Sequence, residues 1–403
     1  MLYTYPDYYS AFHCIADACE DTCCAGWQIV VDDRSLRRYH CEDGPYKKKL
    51  HASVKWRQKV FRQDKEARCA FLREDNLCDM YRNLGAGSLC RTCRIYPRHI
   101  EEFEGIREIS LSLSCPEAAR LLIERKEPVT FHSVEKEGTE EYEHYDPFLY
   151  SMLADARECL FEILQNRNLP MENRILLSLG IAYDMENRVA RGKLFECEAV
   201  FEKYRKQTWF FAAGMKADKY CKDMKKRYLF SREMFGNLRE LELLRKDWEH
   251  QLNEAEILLF EYGEDGYGKI HEAFYQWEQE QRKSVSEDTG ETEVKETEDR
   301  KQEKDWDWNI FSEQLMVYFI FTYFCGAVYD GEIFVNVQMA AASVSIIWDL
   351  LAVRWLKNEK TLDAEEVKEV VYRYSRELEH SDKNKAHFRE KLKKQSTLFY
   401  CLL

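Results

Sequence analysis

Ten of the 15 cysteines fall in the first 115 residues, and nine of those ten stand in three groups. Cys14, Cys19, Cys23 and Cys24 form the first, in FHCIADACEDTCCAGW. Cys69 and Cys78 form the second, in CAFLREDNLCDMY. Cys90 and Cys93 form the third, in LCRTC, with Cys115 following in LSCPEAARL. Cys41 stands outside them. Thiolates bind soft and borderline metals, and short spacings lower the entropy cost of gathering ligands. One Cys-x-x-Cys pair is a modest indication, whereas nine clustered thiols make metal binding the expectation. Cys159, Cys197, Cys221, Cys325 and Cys401 are scattered singly and read as small hydrophobes. The amino terminus lacks the basic start, apolar run and cleavage site of a secretory signal,. A reducing cytoplasm is therefore expected, where a disulfide framework is disfavoured.

The choice of metal lies between iron–sulfur and zinc. A structural zinc site normally uses two short-spaced pairs in a tetrahedron, and the adjacent Cys23 and Cys24 fit that poorly, because neighbouring side chains rarely both reach one small ion. Cys115-Pro116 matches the last ligand of some ferredoxin runs. Arg91, Arg94 and Arg98 flank Cys90 and Cys93, where they can offset the charge of a thiolate-ligated cluster,. Phe12, Ile15, Trp27, Phe71, Leu72, Tyr81 and Tyr96 supply apolar shielding. The expectation is an iron–sulfur centre, four-iron four-sulfur favoured, with zinc the alternative. Nine thiols exceed what one four-iron cluster takes, so either some are not ligands or there is more than one centre.

Other chemistries leave no trace. Gly263, Gly266 and Gly268 follow a helical pattern and not a strand, so they do not make a dinucleotide fingerprint,. Neither a P-loop nor a His-Glu-x-x-His pair occurs,. Cys19-x3-Cys23 begins a radical-enzyme triplet, but its third position is Gly26. His13, His40, His51 and His99 read as surface or packing residues. Asp17, Glu20 and Asp21 interleave the first cysteines, either as loop charges or as carboxylates that hold a cationic amine. The net charge of −13 argues against a general nucleic-acid binder,.

The elements that must position these thiols read as mainly α-helical. Only 7 Pro and 16 Gly occur among 403 residues, with abundant Glu, Lys, Arg and Leu,. Residues 1–125 form a cysteine-rich metal-binding domain of short helices and little strand. Within it, 105–115 (GIREISLSLSC) alternates with a period of two and predicts a strand. Pro116, Asp146-Pro147 and Pro170 mark helix starts. Residues 126–282 read as a helical region and 283–305 as a disordered acidic linker,. Residues 306–403 form a second helical region that packs with the first into an irregular bundle. Its apolar runs at 315–329 and 340–356 are expected to be buried core helices without membrane insertion: the first is short of the ~20 residues a span needs, and Asp349 and Arg354 interrupt the second,.

Taken together, these cysteine motifs resemble the flagellin lysine-N-methylase (FliB-type) family, within a broader cysteine-rich, zinc- or iron-chelating (YkgJ-like) group. The resemblance runs through FHCIADACEDTCCAGWQIVVDD, RCAFLREDNLCDMYRNLG and LCRTCRIYPRHIEEFEGIREISLSLSCPEAARLL, about the first 125 residues, and more loosely through the rest. Cys69, Phe71, Leu72, Cys78, Tyr81, Cys93, Tyr96 and Pro97 make up the kernel shared with the broader group. The resemblance implies methylation of flagellin lysines, with S-adenosylmethionine as donor and an iron–sulfur cluster in the enzyme. It carries metal-ligand roles onto Cys14, Cys19, Cys23, Cys24, Cys69, Cys78, Cys90, Cys93 and Cys115. In-line methyl transfer needs a neutral amine, hence a path that removes its proton. Tyr81, Tyr96 and Asp79 are the candidate catalytic residues, and Arg91, Arg94 and Arg98 the candidate cofactor contacts. Because no donor-binding fingerprint is present, a non-enzymatic metal-binding or redox-sensing module is the alternative.

Overall fold

A computed structural model gives the structure of residues 1–139, 142–221, 223–287 and 306–394. Strand β1 (Leu2–Pro6) precedes the first cysteine loop. Short helices α1 (Asp33–His40) and α2 (Lys47–Ala52), a two-residue ladder of β2 (Val54–Lys55) and β3 (Val60–Phe61), and helices α3 (Asp79–Leu84) and α4 (Arg91–Ile95) follow. Then come β4 (Arg98–Phe103), β5 (Ile106–Leu111), α5 (Pro116–Ile123) and β6 (Phe131–Glu135). The β4–β5 hairpin turns at Glu104-Gly105, where Gly105 takes φ +68°, a left-handed value that favours glycine,.

The strand expected over 105–115 is β5, but it does not stand alone. The order β4-β5-β1-β6 makes a four-stranded sheet, β1 parallel to β5 and antiparallel to β6. The expectation of little strand in this region is corrected accordingly. The other strands are five or six residues long, too short for a period of two to stand out, and β1 is set against partners distant in sequence,. Among the described residues the fold is mainly helical, at 64% helix and 9% strand.

Two cores form. The sheet and α5 pack into the main core with the later helices. Ile29, Val31, Tyr39, Leu50, Val54, Phe61, Phe71 and Met80 make a second, smaller core within the cysteine-rich part.

The body comprises α6 (Pro147–Leu164), α7 (Met171–Ala190), α8 (Cys197–Tyr204), α9 (Gln207–Cys221), α10 (Met224–Arg239), α11 (Lys246–Phe260) and α12 (Gly263–Glu287). It continues with α13 (Trp308–Tyr323), α14 (Ala327–Asp330), α15 (Ile333–Lys357), α16 (Ala364–Glu379) and α17 (Asp382–Lys394). Pro147 opens α6 behind an Asp146 cap, Pro116 opens α5, and Asp363 with Glu366 closes a capping box on α16,. Helix α12 runs through residues 283–287 of the expected linker, and 288–305 lie outside the described residues.

Two helical stretches, Trp308–Asp330 and Ile333–Lys357, are long and apolar enough to span a membrane, yet 83% and 94% of their most apolar windows are buried inside the protein. They are core helices, with α15 packed against α7, α13, α16 and α17. Sheet and body are tied by a buried pair in which Arg157 Nη2 and Nη1 donate to the Glu108 carboxylate, at 2.5 and 2.6 Å. Helix α16 packs on α5, directly behind Cys115, and so brings the far end of the chain to the thiols.

Candidate metal centre

Five thiols gather at the second core: Cys24, Cys69, Cys78, Cys90 and Cys93. The Cys69 N–H donates to the Cys24 carbonyl at 2.8 Å, and Ala25 bridges to Arg68 beside it, so these two segments run side by side. Leu72 bridges to Cys78 across the intervening turn. Cys78 and Cys90 then stand immediately before α3 and α4. A helix start leaves backbone N–H groups free, and their field favours a thiolate. The N–H groups of Tyr81 and Met80 act this way on Cys78, and those of Cys93 and Thr92 on Cys90. They do so at a distance, because neither cysteine closes a capping hydrogen bond. Burial pushes the Cys69 thiol up to about 12, eased by the Phe71 N–H and reinforced by charge at Cys24, Cys78 and Cys90. Cys93 is raised chiefly by its hydrogen bond with Cys90, which is lowered by the same bond. The Tyr39 hydroxyl lies within the field of Cys90 and Cys93, and that of Tyr46 within the field of Cys78 and Cys69.

The other four thiols, Cys14, Cys19, Cys23 and Cys115, lie where the cysteine loop meets the helical body. Cys115 directly precedes α5, and burial pushes it up to about 11 against the N–H groups of Ala118 and Glu117, with charge at Cys19 and Cys14 adding. Cys23 is raised well above the ordinary thiol value by its hydrogen bond with Cys24, then by burial and by charge at Cys24, Cys115 and Cys14. Cys24 is lowered to about 7 by that same bond.

Arg376 of α16 closes this junction. Its Nε donates to the Ser114 carbonyl at 2.9 Å and its Nη2 to the Asp21 carbonyl at 2.6 Å, while Nη1 lies 2.6 Å from the Asp21 carboxylate. The Cys19 thiol donates to the same Asp21 carbonyl at 3.4 Å. Trp27 Nε1 donates to the Cys23 carbonyl at 2.7 Å, and its ring centre sits 4.8 Å from that of His380 and 5.9 Å from that of Tyr96. His380 Nε2 and the Tyr96 hydroxyl both meet the Ser114 hydroxyl, at 2.8 and 3.2 Å. Burial, then the charges of Arg376 and Lys385, lower His380 to about 3, so it is neutral near pH 7. Gly26 turns the chain here at φ +89°, and a Cβ there would meet Arg245 Cγ at 3.5 Å,.

Nine thiols, most of them shielded and several facing backbone N–H groups, fit a thiolate-bound metal or iron–sulfur cluster by donor chemistry,. Among the described residues, no three His, Cys, Asp or Glu side chains are drawn together tightly enough to be a ready ion site. The thiols are neighbours and not a finished cage.

The sequence candidates for catalysis do not converge. Asp79 accepts from the Tyr46 hydroxyl at 2.5 Å and from Lys49 Nζ at 2.6 Å, contacts that lower its carboxyl and pin α2 to α3. Tyr81 is 53% exposed. Tyr96 alone belongs to the junction. Arg98 Nε donates to the Tyr9 hydroxyl at 2.8 Å and its guanidinium lies over the Tyr9 and Phe12 rings, while Arg91 and Arg94 are exposed on α4. Among the nine clustered thiols, Arg68 lowers Cys24 and Arg376 lowers Cys19. Asp21 is held by both Arg376 and Arg245, so it is not a free carboxylate for a substrate amine. His99 pairs with Glu101 and His51 with the Tyr39 carbonyl. Arg376 and His380 were not legible in the sequence: Arg376 reaches Ser114 across 262 positions, and nothing around it marks a site.

The helical body matches the family described as the FliB lysine N-methylase C-terminal domain, over residues 157–403. The chain belongs to the FliB lysine N-methylase family. It is 30% identical over 128 residues to the flagellar biosynthetic protein FliU of Salmonella muenchen, covering 30% of this chain and 76% of that protein. It is also 30% identical over 129 residues to the lysine-N-methylases of Salmonella typhimurium and Salmonella choleraesuis. Those matches cover 30% of this chain and 32% of each relative, so the chain aligns with about a third of their length. No solved structure matches. A FliB-type chain therefore carries its family domain on the helical body, and that body supplies Arg376 and His380 to the thiol loop.

Proposed function

We propose that this chain is a protein-lysine N-methyltransferase that modifies flagellin, with S-adenosylmethionine as methyl donor and a cysteine-ligated iron–sulfur cluster in its amino-terminal part. The observation that carries the reading is membership of the FliB lysine N-methylase family through a domain that docks α16 onto the thiol loop. The names of the relatives, lysine-N-methylase and flagellar biosynthetic protein, support the activity and the flagellar substrate. A cluster held by these thiolates would supply iron as a Lewis acid for polar groups of a ligand wherever a coordination position was left open.

The chain's own residues supply the remaining requirements. A lysine ammonium must lose a proton before its nitrogen can attack a sulfonium methyl. Glu379, the residue before His380, offers a carboxylate near the junction. Its Oε2 accepts from the Tyr318 and Tyr323 hydroxyls, while Oε1 is shielded from water without a hydrogen-bond partner. Tyr318 also accepts from the Leu113 N–H at 3.3 Å, two residues from Cys115. In this reading Glu379 holds the amine and takes its proton, and the two tyrosines fix its orientation. A cleft of about 820 Å³ lined by Asn166, Asn173, Arg205, Phe210 and Gly214 lies on α7, α9 and their flanking turns, and none of its lining residues comes from the cysteine-rich part.

The test uses the whole chain purified without oxygen, incubated with flagellin and S-adenosylmethionine. Peptide mass spectrometry should find lysines heavier by one methyl group or more, and Glu379→Gln should lower the rate at least tenfold. Unmodified flagellin in the presence of cluster-loaded protein would reject the activity and leave a metal-binding module.

A further inference from the structure

Cys23 and Cys24 are adjacent, yet their surroundings divide. Cys24 joins the second core, and its carbonyl receives the Cys69 N–H. The Cys23 carbonyl receives Trp27, whose ring packs on Tyr96 and His380, and these two meet Ser114 beside Cys115. Arg376 fastens the loop carrying Cys19 and Cys23 to the turn carrying Cys115, through the Asp21 and Ser114 carbonyls. The largest electrostatic neighbours follow the same division. Cys14, Cys19, Cys23 and Cys115 act on one another, as do Cys24, Cys69, Cys78, Cys90 and Cys93, and the contact between sets is Cys23 with Cys24. Tyrosines divide likewise, Tyr96 beside Cys115 and Cys23, Tyr46 beside Cys78 and Cys69.

We infer that the chain holds two separate thiolate-bound metal centres that part at this adjacent pair: one takes Cys14, Cys19, Cys23 and Cys115, and the other takes Cys24 with ligands from Cys69, Cys78, Cys90 and Cys93. The inference rests on the metal-binding part of the proposed function and does not depend on methyl transfer. One tetrahedral ion or one cubane is satisfied by four thiolates, so it leaves more than half of the nine without a role. Two centres account for all but one, the spare lying among the five at the second core.

The two also differ in kind. The second-core centre is enclosed by its own apolar residues, with Cys69 and Cys90 buried, which is the closed form of a structural site,. At the junction centre Cys14 is exposed, and the helical body supplies Arg376, His380 and, through Ser114, the contact with Tyr96. The junction centre is therefore the one that solvent and a chelator reach first. The junction centre ties the cysteine loop to the helical body, and the second-core centre holds the fold of the cysteine-rich part.

The deciding experiment is alkylation of the intact chain, purified without oxygen, read cysteine by cysteine by mass spectrometry before and after chelator treatment. Iron and zinc content are measured on the same sample. Chelator-sensitive protection is expected at Cys14, Cys19, Cys23 and Cys115 and also at Cys24 and Cys69, with Cys41 alkylated throughout. Chelation should free the junction set first, at least tenfold faster than the second-core set. Protection confined to either set, or loss of protection at all sites with a single rate, overturns the inference. Cys23→Ala and Cys24→Ala supply an independent check by metal content and visible absorption. Each should lose the metal of its own set and retain the other, and identical losses in both would reject the division. A chain that fails to methylate flagellin still gives this readout, so the two proposals fail separately.

Discussion

The thiols at the second core all lie between Cys24 and Cys93, and they share a core built from the same stretch of chain. The junction thiols come from the first loop and from Cys115, and the contact that joins them comes from α16, near the other end of the chain. The first group has local turns, short helices and its own apolar residues to hold it. The second depends on a helix docking from far along the sequence. Local closure suits permanence, while a site shared between two parts of a fold can respond when one of them moves.

This contrast can be broken first at Phe71, which is buried and meets Phe61 edge-to-face at 5.1 Å in the second core. Phe71→Ala should cost ~3–5 kcal/mol of unfolding free energy, measured by denaturant titration. Alkylation of Cys69 should accelerate while that of Cys115 stays as it was; equal acceleration at both would mean that the two groups are one cooperative unit. Arg376→Met attacks the other side. It leaves Asp21 with Arg245 alone and should cost about 3 kcal/mol, near the low end for breaking a buried pair,. Hydrogen exchange should rise in the Cys19–Cys24 loop and in α5, with the second core unchanged.

A smaller effect sharpens the comparison through pH. His380 is depressed to about 3 in the fold by burial, against ~6.5 when unfolded,. Below the unfolded value the unfolded chain takes up a proton that the fold refuses. The stabilising effect of a neutral His380 is therefore complete above ~6.5 and is lost as pH falls from there toward 3. Between about pH 7.5 and 5.5 the loss from this group should be ~1.4 kcal/mol, and His380→Gln should remove that part of the slope in thermal melts. The smallest effect belongs to Cys41, exposed and outside both groups. Cys41→Ser should change stability by less than ~0.5 kcal/mol and leave metal content unaltered.

Much of this was legible residue by residue, because local signals act locally. Pro116, Asp146-Pro147 and the alternating 105–115 segment marked α5, α6 and β5, since a fixed proline φ, a capping carboxylate and a period of two each act within a few residues,. The apolar runs that became α13 and α15 were readable as core because they combine length with few charges. The sheet was not legible, because β1 finds β5 and β6 more than a hundred residues away and its five residues carry too short a pattern.

The sequence by itself determined the inventory: nine clustered thiols, a mainly helical chain and a cysteine kernel of recognisable type. Composition and short-range spacing are enough for that. Tertiary structure alone decided how the thiols divide, since Cys23 and Cys24 are equivalent in the sequence and differ only in what folds against them. It also brought Arg376 and His380 to the junction, set Asp79 against Tyr46 and Lys49 instead, and bound Asp21 to two arginines. Contacts between distant segments form because burial against a shared core compensates the entropy of closing a long loop, and no local pattern records which partner will be there.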